Sequence, residues 1–242
     1  MAQAAPERAT IDSLSSVLDR DDLPSALSLL ARAHIRADSA NKDPSLRIEL
    51  GWALLRVGKL LHSPDTLLAS ADEFYHAIER ARHWPYGWYG LGQADIALAL
   101  LHARVRSSAH QPAGAAWIQT AGIAFSNALK ADSTYRPAAL ALAEATLANN
   151  FDPQTTKAVA LLKPLLGPNA TDAEPFLLLG QLQRRLDSLP EALAAFRSYL
   201  RCGGDSGIGY LEMARTEFGL HDVAVAESLY YTGAAATRTM QA

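Results

Sequence analysis

The sequence predicts an all-α protein assembled from stacked helical hairpins, an α-solenoid. Three observations carry that expectation. Apolar residues recur at helical spacing along most of the 242 residues, as in Leu46, Leu50, Ala53, Leu54, Val57 and Leu61. No segment reads as a strand. A fixed step of eighteen residues separates Phe74 from Gly92, Phe125 from Ala143, Leu162 from Gly180 and Phe196 from Ala214. Each step joins a large residue late in one hairpin to a small residue early in the next, the mark of a repeat architecture.

Twelve helices are expected, at 10–19, 23–36, 44–61, 64–83, 85–106, 113–132, 136–150, 153–166, 173–187, 189–202, 206–219 and 221–236. Pro24 opens the second. Asp43-Pro44, Ser63-Pro64 and Asp152-Pro153 each set a capping side chain before a proline at the first helical position. Pro85, Pro137, Pro175 and Pro190 fall at similar starts, where the amide that proline lacks has no helical partner anyway. The ninth and tenth helices show their faces through Leu177, Leu178, Gln181, Leu182 and Leu186, then Leu193, Phe196 and Leu200. Pro164 lies inside a helical run and should kink or end it near Gly167-Pro168. Taken in pairs the helices form six antiparallel hairpins. One domain is expected over 10–236, with a flexible segment at 1–9 and a tail at 237–242.

The segment Phe176-Leu177-Leu178-Leu179-Gly180 is followed by Ala192 and Phe196, and thirty-four residues later come Tyr210, Met213, Ala214, Ala226 and Tyr230. Upstream stand Trp88-Tyr89-Gly90-Leu91-Gly92 with Phe125 and Ala128, Leu50-Gly51 with Phe74 and Ala77, and Leu142-Ala143 with Ala158 and Leu162. A partial unit contains Ala26, Leu30 and Ala33. These segments resemble the tetratricopeptide repeat (TPR) pattern over about residues 10–236. Packing explains the pattern: small residues let two helices approach, and the large late residue fills the space beneath the following hairpin, so the hairpins bury their faces by stacking. From the small residue to the large one, regular units take sixteen steps, Gly180 to Phe196 and Ala214 to Tyr230. Ala143 to Leu162 exceeds that by three, Gly51 to Phe74 by seven and Gly92 to Phe125 by seventeen. The excess falls at the turn inside each hairpin. The third hairpin is therefore expected to be elongated by one to two turns per helix, with Ser107–Gly114 as a projecting loop. Trp84-Pro85-Tyr86-Gly87-Trp88 and the hairpin before it also look like the repeat region that precedes the GWxTD domain of some bacterial envelope proteins.

In TPR proteins the concave groove is lined by helix-A residues that flank the small position. Carried over residue by residue, the resemblance implies a groove of Ile48, Trp52, Leu55 and Arg56, then Tyr86, Tyr89, Gln93 and Ile96, then Leu140, Glu144 and Leu147. Gln181, Arg184 and Arg185, then Leu211, Arg215 and Phe218, complete it. Such a lining is aromatic and aliphatic at first and basic later, suited to a peptide with an apolar anchor and an acidic end. The Lys and Asn of a carboxylate clamp are missing from the matching positions. His76, Glu79 and His83 lie near one helix face but lack the HExxH spacing, so a solvated polar face is expected there and no metal. Gly87, Gly90 and Gly92 follow no strand and suit close packing rather than phosphate binding. Cys202 precedes Gly203-Gly204, which read as a left-handed helix end.

Composition narrows the class. A net charge of −3 argues against non-specific nucleic-acid binding, and a single cysteine excludes an internal disulfide or a thiolate zinc cluster. No apolar run reaches the roughly 18–20 residues of a membrane helix. Seventeen arginines against five lysines, with abundant alanine, suit a GC-rich bacterial genome. The start Met-Ala-Gln-Ala-Ala-Pro-Glu-Arg lacks a hydrophobic signal core and is compatible with the stub of a trimmed signal peptide, so cytoplasm and periplasm or envelope stay open. The expected function is a non-catalytic scaffold that binds a peptide or protein partner in the groove and needs no cofactor. A self-assembling structural subunit and a regulatory module of a larger envelope protein are the alternatives. Leu229, Tyr230 and Tyr231 form an apolar face with no evident helix to cover it.

Overall fold

The computed structural model describes residues 28, 43–105, 113–149, 155–166 and 171–239. Ten α-helices run through the described residues: α1 (Pro44–Leu61), α2 (Pro64–Arg80), α3 (Pro85–Val105), α4 (Ala113–Ala131), α5 (Arg136–Ala148), α6 (Thr155–Leu162), α7 (Glu174–Arg185), α8 (Leu189–Arg201), α9 (Ser206–Gly219) and α10 (Val223–Thr239). No strand occurs among them. The helices expected at 10–19 and 23–36, and the loop tip at 107–112, lie outside the described residues. The chain falls into two compact units, residues 1–138 and 139–242.

Two of the three expected caps are made by the expected chemistry, and the third, Asp152-Pro153, lies outside the described residues. The Asp43 carboxylate accepts from the Ser45 amide at 2.9 Å, and the Ser63 hydroxyl from the Thr66 amide at 3.3 Å, with prolines just inside both helices. Pro164 acts as anticipated: α6 ends at Leu162 and a short 3-10 turn, Lys163–Leu165, carries the chain past the proline. Proline disfavours the α conformation of the residue before it and cannot supply the amide that an α-helix needs. Gly203 takes φ 82°, and its amide and that of Gly204 close back on Leu200 and Tyr199. The tight turns of α7–α8 and α9–α10 instead put Asp187 (φ 59°) and His221 (φ 64°) in the left-handed region, at matching repeat positions. Helices α3 and α4 reach 21 and 19 residues, against 12 and 13 for α7 and α8, so the third hairpin is longer along both arms.

In the first unit, Leu55, Leu67, Phe74, Ala94, Ala97 and Leu98 form the core, flanked by Ile48, Leu91 and Trp117. Each fully buried Leu or Phe contributes about 1.5–3 kcal/mol by removal from water. A charged pair lies in this interior: Arg47 donates to Glu73 at 2.7 Å between α1 and α2, with both side chains buried. Burial of either charge alone is strongly unfavourable, so the pair fixes how the two helices register. In the second unit Ala143, Ala158, Leu162, Leu178 and Leu182 pack together, and Ala192, Phe196 and Met213 form a further cluster.

Phe74 meets the next hairpin most closely at Gly90, two residues short of the eighteen-residue step to Gly92. A methyl group at Gly51 would sit 2.8 Å from the Phe74 ring, and one at Gly90 only 2.2 Å from it, while Gly92 faces Phe125 at 2.4 Å. Phe74 is thus clamped between its own helix A and residue 90 of the next. Residues 90 and 92 lie about 200° apart around a helix, so they face opposite neighbours. Gly180 repeats the arrangement against Phe196 at 2.4 Å.

Candidate partner-binding face

The first unit brings together the aromatic residues singled out above. Trp52 on α1 and Tyr89 on α3 have ring centroids 5.8 Å apart, and Tyr89 stands 5.5 Å from Tyr135. Tyr135 stands 5.5 Å from Tyr86, and Tyr86 stands 6.5 Å from Trp84. The last three contacts are edge-to-face, with interplanar angles of 80°, 84° and 81°. This geometry sets the positive rim of one ring against the negative face of its neighbour. Inward, Trp52 meets Phe74 at 5.3 Å and Tyr89 meets Phe125 at 5.8 Å, which ties the ladder to the two clamped phenylalanines. Outward, Tyr86 is 50% and Trp52 36% exposed. A turn holds Tyr135: the Thr134 amide and hydroxyl both donate to the Asp132 carboxylate, and the Tyr135 amide donates to the Asp132 carbonyl. Those bonds from Thr134 hold the Asp132 carboxyl below its ordinary pKa. Burial first, then Tyr89, Tyr86 and Asp132, pushes the Tyr135 hydroxyl up to about 12.

Other positions expected on the groove divide. Leu55 is a correction: at 2% exposure it belongs to the core, because it turns toward Phe74 and Leu98, and Ile48 packs beside it. Arg56 is exposed, and Gln93 and Ile96 are half-buried. In the second unit Leu140 and Leu147 flank the α5–α7 core, and Glu144 is exposed, its carboxyl raised by partial burial and then by Glu174. The three arginines are engaged within the protein. Arg184 (3.0 Å) and Arg215 (3.1 Å) converge on the carboxylate of Glu212, which is itself buried, and Gln181 lies 3.4 Å from it. The Arg185 guanidinium donates to the carbonyls of Thr146, Leu147 and Asn149, which satisfies the open end of α5. The uniformly basic end expected for an acidic peptide is therefore reduced to one net positive charge across Arg184, Arg215 and Glu212. Leu211 and Phe218 line an open cleft of about 760 Å³ on α9 and α10. His76 contacts Glu79 at 3.2 Å, whereas His83 turns to the edge of Trp84. Among the described residues no helix is long and apolar enough to cross a membrane.

No family model and no curated protein matches the chain. Solved structures do. MamA (41 to the end) from Desulfovibrio magneticus RS-1 superposes with a TM-score of 0.61 at 16% identity, covering 81% of this chain and 98% of that one. TTC0263, a TPR protein of Thermus thermophilus, gives 0.52 at 19% identity, covering 88% and 99%. The C-terminal part of a TPR repeat-containing protein from Cytophaga hutchinsonii gives 0.62 at 13%, covering 95% and 80%. The fold is a TPR-type α-solenoid. Identities this low establish architecture alone, and the likeness to the GWxTD-associated region gains nothing from them.

Within the TPR frame, two ladder residues that sequence reasoning passed over become intelligible. Trp84 and Tyr135 each stand eight residues before the small residue of their repeat, Gly92 and Ala143. They precede helix A, so a search confined to helix-A positions misses them. The repeated spacing of two aromatics at one register position was the available signal.

Proposed function

We propose that this TPR solenoid is a non-catalytic scaffold that binds a peptide or protein segment on the ladder face of its first unit. Trp52, Tyr86, Tyr89 and Tyr135 are the anchors. The observation that carries the reading is an ordered row of aromatic rings left partly open to solvent. Such rings offer large contact area at little entropic cost, since their edge-to-face neighbours already hold them in place. Arg185, expected on the groove as well, instead serves the α5 end.

Peptides selected from a display library against the chain test the reading. Trp52→Ala and Tyr86→Ala should each weaken the selected peptides by about tenfold, the loss of one anchor of ~1.4 kcal/mol, with unchanged helical circular dichroism. Selected peptides that bind both variants as tightly as the parent would overturn it.

A further inference from the structure

Among the described residues, the large residue late in helix B is fully covered in four hairpins and open in α9–α10. Phe74, Phe125, Leu162 and Phe196 are each 0% exposed, and Tyr230, the matching residue, is 56% exposed. Around it Phe218, Val223 and Tyr231 are 65%, 57% and 64% exposed, over a floor of Ala214 and Ala226, in the open cleft of about 760 Å³. The equivalent face one repeat earlier shows what fits. There α9 seats on α7–α8: a methyl at Gly209 would lie 2.3 Å from Leu200, and Glu212, three residues on and so on the same helix face, takes Arg184 and Gln181. Thirty-four residues on, Gln181, Arg184 and Phe196 become Arg215, Phe218 and Tyr230. Arg215 stays 54% exposed while it pairs with Glu212, and the two arginines outnumber that one acid. Glu227, lining the same cleft from α10, repels an acid on that side and so gives the site a direction.

We infer that the α9–α10 face docks an α-helix of a partner protein. That helix carries a Gly or Ala and, three residues later, a Glu or Asp that reaches Arg215, with its apolar side on Tyr230 and Phe218. The face continues the stacking interface already made between α8 and α9, and its charge complements such an acid. A second copy cannot offer its α9, whose Gly209 and Glu212 are buried in its own chain.

The probe is a labelled, hydrocarbon-stapled peptide of residues 205–219, titrated onto the full chain by fluorescence anisotropy. Saturable binding is expected, weakened about tenfold or more by Tyr230→Ser, by Arg215→Ala, and by Glu212→Lys in the peptide. Both chain substitutions fall on exposed side chains, and a melting curve for each confirms that it folds. Arg215→Ala combined with the Glu212→Lys peptide should lose less than the two single losses together, since they remove one contact. Absence of saturable binding, or binding indifferent to Tyr230→Ser and to Arg215→Ala, would overturn the inference. So would a concentration-dependent dimer in light scattering that Tyr230→Ser abolishes, because a second copy would then be the occupant. The ladder face plays no part in this titration, so Trp52→Ala should leave it unchanged.

Discussion

At the scale of single residues, Asp95 shows how one buried group can make stability depend on pH. It sits on α3 at 5% exposure, and burial raises its carboxyl from 3.8 to about 6, opposed by a hydrogen bond with Thr120. Below the unfolded value the acid is neutral in both states and costs nothing. As pH rises through that value the unfolded chain ionises first, so the native state loses stability until the pH passes about 6. Solvent screening reduces the full linkage to roughly 1–2 kcal/mol at neutral pH. Asp95→Asn keeps an acceptor for Thr120 and removes the charge. Its melting temperature should exceed the parent's by roughly 3–6 °C at pH 7.5, and the gap should close near pH 3.5. The same environment is absent at Asp132, where hydrogen bonds from Thr134 lower the carboxyl instead. Neither shift was legible in the sequence, because burial of an aspartate depends on which helix covers it.

At the scale of elements, caps written in adjacent residues could be read directly, while caps supplied from afar could not. Asp43 and Ser63 stand beside the amides they satisfy, so local sequence was enough. The end of α5 is closed by Arg185, 36 to 39 residues away, through three backbone carbonyls. Its helix position suggested a binding residue; its geometry makes it a structural one. Arg185→Ala should cost about 0.5–1.5 kcal/mol, read as a lower denaturant midpoint, because three charge-assisted bonds to the partly exposed end of α5 are exchanged for bonds to water. Arg185→Lys should recover part of this, since an ammonium reaches fewer of the carbonyls than a planar guanidinium. Groove position and groove availability are thus different properties, and Leu55 makes the same point by turning into the core.

At the scale of the whole molecule, each hairpin's stability comes from its own helices and from its neighbours, so damage should stay local. Gly90→Ala tests this. Its methyl would meet the Phe74 ring at 2.2 Å between α2 and α3, and overpacking of that kind costs about 1–3 kcal/mol. Amide hydrogen exchange should accelerate in α1–α4 and keep its parental protection in α7–α10; uniform acceleration throughout would show that the chain unfolds as a single cooperative unit. The sequence alone determined the helices, their repeat period, the hairpin lengths and the small and large residues that let helices interlock. Those features depend on neighbours a few residues apart or on spacing that recurs, and both are written along the chain. Tertiary structure alone decided which aromatics join into one ladder, that Tyr135 belongs to it, and which arginines are engaged internally. Each of these depends on what lies across a helix interface, and contacts between distant residues are set by packing rather than by position in the chain.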